Sequence, residues 1–283
     1  MNGILLIDKP EGWTSNDVVQ KLRGILHERR IGHAGTLDPL ATGLLVVFVG
    51  RATRCVEFAE SQEKCYLAGL RTGLTTDTQD ISGTVLAECS EQVTEERLLG
   101  VLNDFRGEIS QIPPMYSAIK IRGQKLYDIA RRGGDIPREP RKIFIRELSL
   151  TGRAGTDFRL LIRCSKGTYV RTICHDIGKK LGTGACMSSL RRLESGQFQI
   201  DDAWTLEQVC KGEFRLLAAD SLFSALPSVQ ISEKAEMKVK NGSNPLCEAA
   251  PGKYRVYSRS GEFLAIGESS GETLHIIKRL YEV

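Results

Sequence analysis

Apolar residues fall into short runs along the chain, and the spacing within each run predicts its element. Residues 3–7 form a compact apolar run that reads as a buried strand. Thr14 or Ser15 then caps a helix with Val18, Val19, Leu22, Ile25 and Leu26 on one face, the period of an amphipathic helix. Further apolar runs predict strands over 44–49, 66–72, 143–151 and 158–164. Thr94, followed by Glu95 and Glu96, opens another helix, with acidic side chains at the positive end of the helix dipole. Val170, Ile173, Cys174, Ile177 and Leu181 return to helical spacing. Tyr169 and Arg171 therefore sit at a strand-to-helix junction, where functional side chains are displayed.

Two segments break this texture. Residues 112–140 hold Pro113, Pro114, Gly123, Gly133, Gly134, Pro137 and Pro140 among many basic residues, and read as a long insertion able to move. Past Gln230, glycines punctuate short apolar pieces at 254–257, 263–266 and 273–277, a pattern of short strands and turns that reads as a small β-barrel.

Composition adds bounds. With 283 residues, 41% hydrophobic and 26% charged, the chain can bury one large core, or one core and a small appendage. The apolar part of residues 1–8 is too short for a signal peptide and no later run approaches a membrane span, so the expected location is cytoplasmic. Cys55, Cys65, Cys89, Cys164, Cys174, Cys186, Cys210 and Cys247 are dispersed without a CxxC pair, and read as mostly buried thiols rather than a zinc site or a disulfide framework. A formal charge of +4 identifies no partner, but basic residues gather at Arg29-Arg30, at Lys120, Arg122 and Lys125, at Arg131-Arg132, at Arg138, Arg141 and Lys142, and at Arg191-Arg192. Each cluster is either a solvated face or a track for a phosphate backbone.

The candidate chemistry centres on residues 32–43. There Asp38 stands between Gly35 and Gly43 and directly before Pro39, outside any regular element. Taken alone it is either a turn former or a carboxylate held out on a stiff loop. No metal-ligand cluster, phosphate loop or dinucleotide fingerprint is present in the sequence.

Residues 35–43, preceded by Asp8-Lys9-Pro10-Glu11-Gly12-Trp13-Thr14-Ser15, resemble the opening of the bacterial TruB family of tRNA pseudouridine-55 synthases. Lys64-Cys65-Tyr66, Thr76 to Asp80, Pro113 to Lys120 and Gly167 to Arg171 follow in the family's order, so the resemblance spans nearly the whole chain. It implies an α+β fold: a pseudouridine synthase catalytic domain over 1–228, with a mixed, largely antiparallel sheet flanked by helices. It also implies a small PUA-like RNA-binding β-barrel over 229–283, in the short form of the type 1 subgroup. The insertion at about 112–142 corresponds to a thumb-like loop that closes over RNA.

The implied activity is isomerisation of the T-loop uridine at tRNA position 55, with the base flipped into a pocket. Asp38 is then the catalytic carboxylate, either adding to the ribose or base or removing a ribose proton. Tyr66 stacks on the extruded base, and Arg171 pairs with Asp38 to hold it ionised and oriented. Tyr169 lines the same pocket with a hydroxyl able to pass a proton. His33 resembles the residue that pushes into the RNA, Asp80 an acid that contacts the nucleotide or steadies Arg171, and Lys120 and Leu190 residues that line the site. As residues alone, Tyr66, Tyr169 and Leu190 suit a core equally well, and His33 a tolerant loop. The resemblance implies no cofactor, a tRNA T-arm stem-loop as partner, no guide RNA, no membrane and a monomer. A binding-only tRNA chaperone is the alternative reading.

Overall fold

The computed structural model describes residues 1–117, 119–121 and 123–281, apart from the side chains of Lys120 and Lys125. One large sheet runs in the order Gly3–Lys9, Thr42–Val49, Ala185–Ser195, Lys64–Thr72, Asp157–Cys164, Arg141–Ala154, Gly107–Gln111. Ile31–Ala34 adds to Thr42–Val49, and Phe198–Gln199 to Ala185–Ser195. Every pairing in it is antiparallel except one: Ala185–Ser195 runs parallel to Thr42–Val49, with Arg191 opposite Thr42 and Arg192 opposite Gly43. This is the expected mixed, largely antiparallel sheet.

Its strands follow from what covers them. In Thr42–Val49, Leu44, Val46 and Phe48 face one core, while Leu45, Val47 and Val49 face another. Both faces are buried, so the strand is a continuous apolar run rather than an alternating one. The helix Ser15–Leu26 closes the second face with Val18, Val19, Leu22 and Leu26. Thr14 caps it, receiving the Asp17 backbone N–H while the Asp17 carboxylate accepts from the Thr14 N–H, a reciprocal capping box. Toward the other end of the sheet, Glu95–Leu102 and Val170–Leu181 pack Leu98, Leu102, Ile173 and Ile177 against Leu70, Leu160 and Ile162. Each such side chain contributes about 1.5–3 kcal/mol on burial.

Several elements stand outside the sequence reading, the strands Ile31–Ala34 and Gly107–Gln111 among them, and two others show why. Ala185–Ser195 is a central strand. Its Ser188, Arg192 and Ser195 are buried, so polar residues occupy inward positions and the hydrophobic signature of a strand is broken. Glu233–Lys240 is a helix capped by Ser232 in a region read as strands and turns.

At the C-terminal end, Ser228–Gln230, Gly252–Tyr257, Phe263–Ser269 and Leu274–Arg279 form a four-stranded sheet in that order. Among the described residues no pairing joins its two edges. This sheet shares a core with the large one: Ile266 and Leu280 join Ile4, Leu6, Phe48 and Phe223 in one cluster. Arg54 Nη1 donates to the Tyr281 carbonyl at 2.8 Å across the same boundary.

Five of the eight thiols are buried, and all eight cysteines are free. No helix among the described residues is long and apolar enough to cross a membrane.

Candidate active site

The Asp38 loop is fastened from beneath. Leu37 N–H donates to Ser15 Oγ at 2.9 Å, and the Ser15 hydroxyl lies 3.2 Å from the Leu37 carbonyl. Gly12 N–H donates to the Pro39 carbonyl at 2.8 Å. The buried Lys9 ammonium binds three carbonyls, of Trp13 at 2.6 Å, Pro10 at 2.8 Å and Pro39 at 3.5 Å. It thus ties the residues 10–13 turn to the residue after Asp38. Burial lowers the Lys9 pKa to about 8, against the pull of Asp38 in the other direction.

Arg171 meets Asp38 from the first turn of Val170–Leu181. Its Nε lies 2.9 Å from Asp38 Oδ2 and its Nη2 3.4 Å from Oδ1, a two-point contact that sets the plane of the carboxyl. Arg171 is only 5% exposed. Its other donors reach the Thr78 carbonyl at 3.0 Å and the Tyr116 carbonyl at 2.8 Å. Asp80 lies 3.6 Å from Arg171 Nη1, so one guanidinium serves two acids. Asp80 is itself held: its Oδ1 accepts from Thr78 Oγ1 at 2.8 Å and from the Ser82 N–H at 3.0 Å. The turn bearing it contains Gln79 at φ 65, a left-handed conformation uncommon for a residue with a side chain.

The Asp38 carboxyl opens into a cavity of about 1070 Å³. Burial pushes its pKa above the ordinary value, Asp80 adds to that, and Arg171 and Lys9 oppose it. Arg171 therefore orients Asp38 without cancelling the cost of enclosing its charge.

Tyr66, Tyr169, Leu190, Asp80 and Arg171 line this same cavity with Asp38. Tyr66 comes from Lys64–Thr72 and Leu190 from the neighbouring Ala185–Ser195. Tyr169 precedes the helix, and its backbone is clamped by Gln111, which accepts from the Tyr169 N–H at 2.8 Å and donates to its carbonyl at 3.0 Å. Burial raises the pKa of both tyrosine hydroxyls. Arg131, Arg141, Lys142 and Lys166 stand at the same cavity and make it basic.

His33 lies elsewhere. It sits on the strand Ile31–Ala34 opposite Val47, not in a glycine-rich loop, and is not part of the cavity wall. Burial and the charge of Arg192 lower its pKa, so its neutral form is favoured. The Lys120 side chain lies outside the described residues.

The structure also corrects one basic cluster. Arg191 and Arg192 do not form a surface pair for phosphate. Arg191 is engaged with both Asp8 oxygens at 3.0 and 2.7 Å, and Arg192 is 1% exposed, with its Nε 2.6 Å from the Leu44 carbonyl. Lys9, Gln111 and Arg192 are the site residues that sequence reasoning left without a role. The one signal for Lys9 is a lysine that closes an apolar strand just before a proline.

Comparison with known proteins finds relatives over nearly the whole chain. Residues 23–170 match the model of the TruB family pseudouridylate synthase (N terminal domain), and residues 171–220 that of the tRNA pseudouridylate synthase B C-terminal domain. The chain is 42% identical over 280 residues to tRNA pseudouridine synthase B of Solibacter usitatus, covering 95% of this chain and 96% of that protein. It is 38% identical to the protein of that name from Clostridium kluyveri, covering 98% of this chain and 99% of that one. A chain of an H/ACA ribonucleoprotein bound to a substrate RNA containing 2′-deoxyuridine has the same fold, at TM-score 0.72 and 24% identity over 99% of this chain and 85% of that one. With family models matched across the site and relatives alike over almost their whole length, the chain belongs to the TruB family of pseudouridylate synthases.

Proposed function

We propose that the chain isomerises the T-loop uridine of tRNA, position 55, to pseudouridine, with Asp38 as the catalytic carboxylate. The observation that carries this is the Asp38–Arg171 pair, braced by Asp80 at the mouth of a basic, tyrosine-lined cavity. The reaction breaks the bond from C1′ to N1, forms one from C1′ to C5, loses the C5 proton and returns a proton to N1. Atoms and electrons balance without an oxidant or a reductant. What the reaction demands is that the base leave its stack and turn within an enclosed space.

Each residue then has a task. Tyr66 offers a ring to the extruded base, a contact worth about 1–3 kcal/mol, which offsets part of the cost of unstacking. Asp38 acts at the ribose or the base, oriented by Arg171. Tyr169 and Leu190 bound the space in which the base turns, with the Tyr169 hydroxyl available for proton transfer. Asp80 steadies Arg171 from the side away from Asp38. His33, on the strand below the loop, and Lys120, in the insertion, act on the RNA around the target.

Residues 1–228 are the catalytic unit, 112–142 an insertion that meets the T arm, and 229–283 a small RNA-binding appendage. The protein works in the cytoplasm as a monomer, without guide RNA or cofactor. The test is to treat unmodified tRNA transcripts with the protein and map pseudouridine by carbodiimide-dependent primer-extension stops. A single stop at the T-loop uridine is the expected result. Stops elsewhere with none in the T loop would overturn the assigned position.

A further inference from the structure

Pro113 to Lys120 is one of the motifs that carry the resemblance, yet no step of the isomerisation uses its Tyr116. The segment begins where the sheet ends. Gln111 closes the edge strand Gly107–Gln111 opposite Arg141, and its amide is spent on the Tyr169 backbone. Pro113 and Pro114 follow, both buried; each fixes its φ and brings no N–H, so the chain leaves the ladder stiffly and with no donor to satisfy at either position.

Tyr116 then lies at the foot of the insertion and meets the site at two points. Its carbonyl accepts from Arg171 Nη2 at 2.8 Å, the same nitrogen that lies 3.4 Å from Asp38 Oδ1. Its hydroxyl donates to Asp77 Oδ2 at 3.3 Å. Asp77 is held in turn: its Oδ1 accepts the Thr84 N–H at 2.7 Å, and its own N–H donates to the Thr84 carbonyl at 3.1 Å. The turn closed in this way presents the Thr78 carbonyl at 3.0 Å and Asp80 at 3.6 Å to Arg171 Nη1. One guanidinium is thus gripped by two separate segments, the 77–84 turn through Nη1 and the insertion foot through Nη2, and the Tyr116 hydroxyl joins the two.

The shared nitrogen makes the place of that foot matter. Nη2 is nearer the Tyr116 carbonyl than Asp38, so a foot that shifts takes the guanidinium plane with it and breaks the two-point contact that orients the carboxyl. Packing does not call for the hydroxyl. Tyr116 is half-buried at the cavity rim, where a phenylalanine ring would occupy the same space.

We propose that Tyr116 is a positioning residue for the isomerisation: its hydroxyl ties the foot of the insertion to the 77–84 turn, and its carbonyl thereby fixes the Arg171 guanidinium that orients Asp38. This rests on the function proposed above. Tyr116 touches no reacting atom in this role; it acts through Arg171, and it makes the insertion part of the catalytic geometry as well as a surface for RNA.

The test is a double-mutant cycle with Tyr116→Phe and Asp77→Ala, read as the single-turnover rate at saturating RNA and the RNA dissociation constant. Tyr116→Phe keeps the ring and the carbonyl and loses only the tie. It is expected to lower the rate about tenfold, the rate equivalent of one hydrogen bond to a charged group at an exposed site, with affinity within about threefold of wild type. In the Asp77→Ala background the same change is expected to cost no more than about twofold, because its partner is already gone. The charged groups acting on Asp38 are Arg171, Asp80 and Lys9, and Arg171 has the strongest pull toward the ionised form. A slipped guanidinium holds the carboxyl down less, so the acid limb of the rate profile is expected about half a pH unit higher in Tyr116→Phe. A general loosening of the fold would lower the rate without moving that limb.

A second measurement needs no RNA. The Tyr127 N–H donates to the Ser117 carbonyl at 3.1 Å, so its hydrogen exchange reports whether the foot is held, and Tyr116→Phe is expected to speed it at least about threefold. A wild-type rate for Tyr116→Phe, an equal loss in both backgrounds, a loss confined to RNA affinity, or unchanged exchange would each overturn the proposal. Should Asp77→Ala fail to fold, Tyr116→Phe decides by its rate, its acid limb and its exchange. A wild type that turns over no RNA would sink the functional reading instead, and the exchange measurement alone would then decide the tie.

Discussion

Replacing Asp38 by Asn and, separately, Arg171 by Met perturbs the same ion pair from its two ends, and the structure predicts opposite consequences for stability. Arg171 is buried and answers to two acids and two carbonyls. Removing it leaves Asp80, itself buried, without its cation, and Asp38 with the pull of Lys9 alone, a loss of about 3–5 kcal/mol for a broken buried pair. At about 2–4 °C per kcal/mol for a chain of this size class, the melting temperature falls by roughly 10 °C.

Removing the Asp38 charge is different. Its side chain is 38% exposed and faces the cavity, and Arg171 keeps Asp80, Thr78 and Tyr116 as partners. Because burial holds the Asp38 pKa above 3.8, the ionised form costs the fold stability at neutral pH. Asp38→Asn is therefore expected to melt at or above the wild-type temperature at pH 7. The sign follows from linkage: between 3.8 and the raised folded value the unfolded chain has released a proton that the fold still holds, so wild-type stability declines as pH rises through that window. The advantage of the Asn variant is full above it and vanishes below pH 3.8.

Differential scanning calorimetry at one scan rate, on both variants and the wild type from pH 3.5 to 7.5, reads all of this. A drop for Asp38→Asn as large as that for Arg171→Met would refute the reasoning. It would make Asp38 a structural counter-ion rather than a carboxylate kept at the expense of stability for its chemistry.

Other expectations follow from the same contacts. Gly43→Ala places a methyl group against the Arg192 backbone at φ 96; about 1–3 kcal/mol is lost from the conformation alone, and chemical denaturation should show at least that. Gln111→Ala strips both partners from the Tyr169 backbone and is expected to cost about 1–3 kcal/mol, measured as a fall in denaturation midpoint at constant slope. For Lys9→Met the cost depends on pH. The folded pKa of about 8 lies below the unfolded 10.5, so wild-type stability gains between those values as pH rises, and the stability gap to the variant is flat below pH 8 and widens up to 10.5. A gap independent of pH over that range would show that Lys9 is not enclosed as described.

Much of the site was legible because local chemistry marks it. The glycines and proline around Asp38 announced a stiff loop, and the Thr14 capping box with its apolar period announced the helix that anchors that loop through Ser15. The change from strand to helical spacing at Cys164 to Val170 placed Tyr169 and Arg171 correctly at a junction.

What stayed hidden depends on long-range pairing. Ala185–Ser195 carries two serines and an arginine at buried positions, so its pattern resembles a surface segment until its neighbours are known. The parallel seam at Gly43 has no sequence signature, and without it Arg192 looks like half of a surface basic pair. Gln111 ends an edge strand, and only the fold brings it to the helix start 58 residues later.

The central claim is that Asp38 performs an isomerisation at uridine C5. It is tested most directly by release of tritium from a T-arm stem-loop labelled at that carbon, comparing wild type with Asp38→Asn at matched RNA occupancy. Release by the wild type and none by the variant is the predicted result. Equal release by both, or tight binding with release by neither, would contradict it.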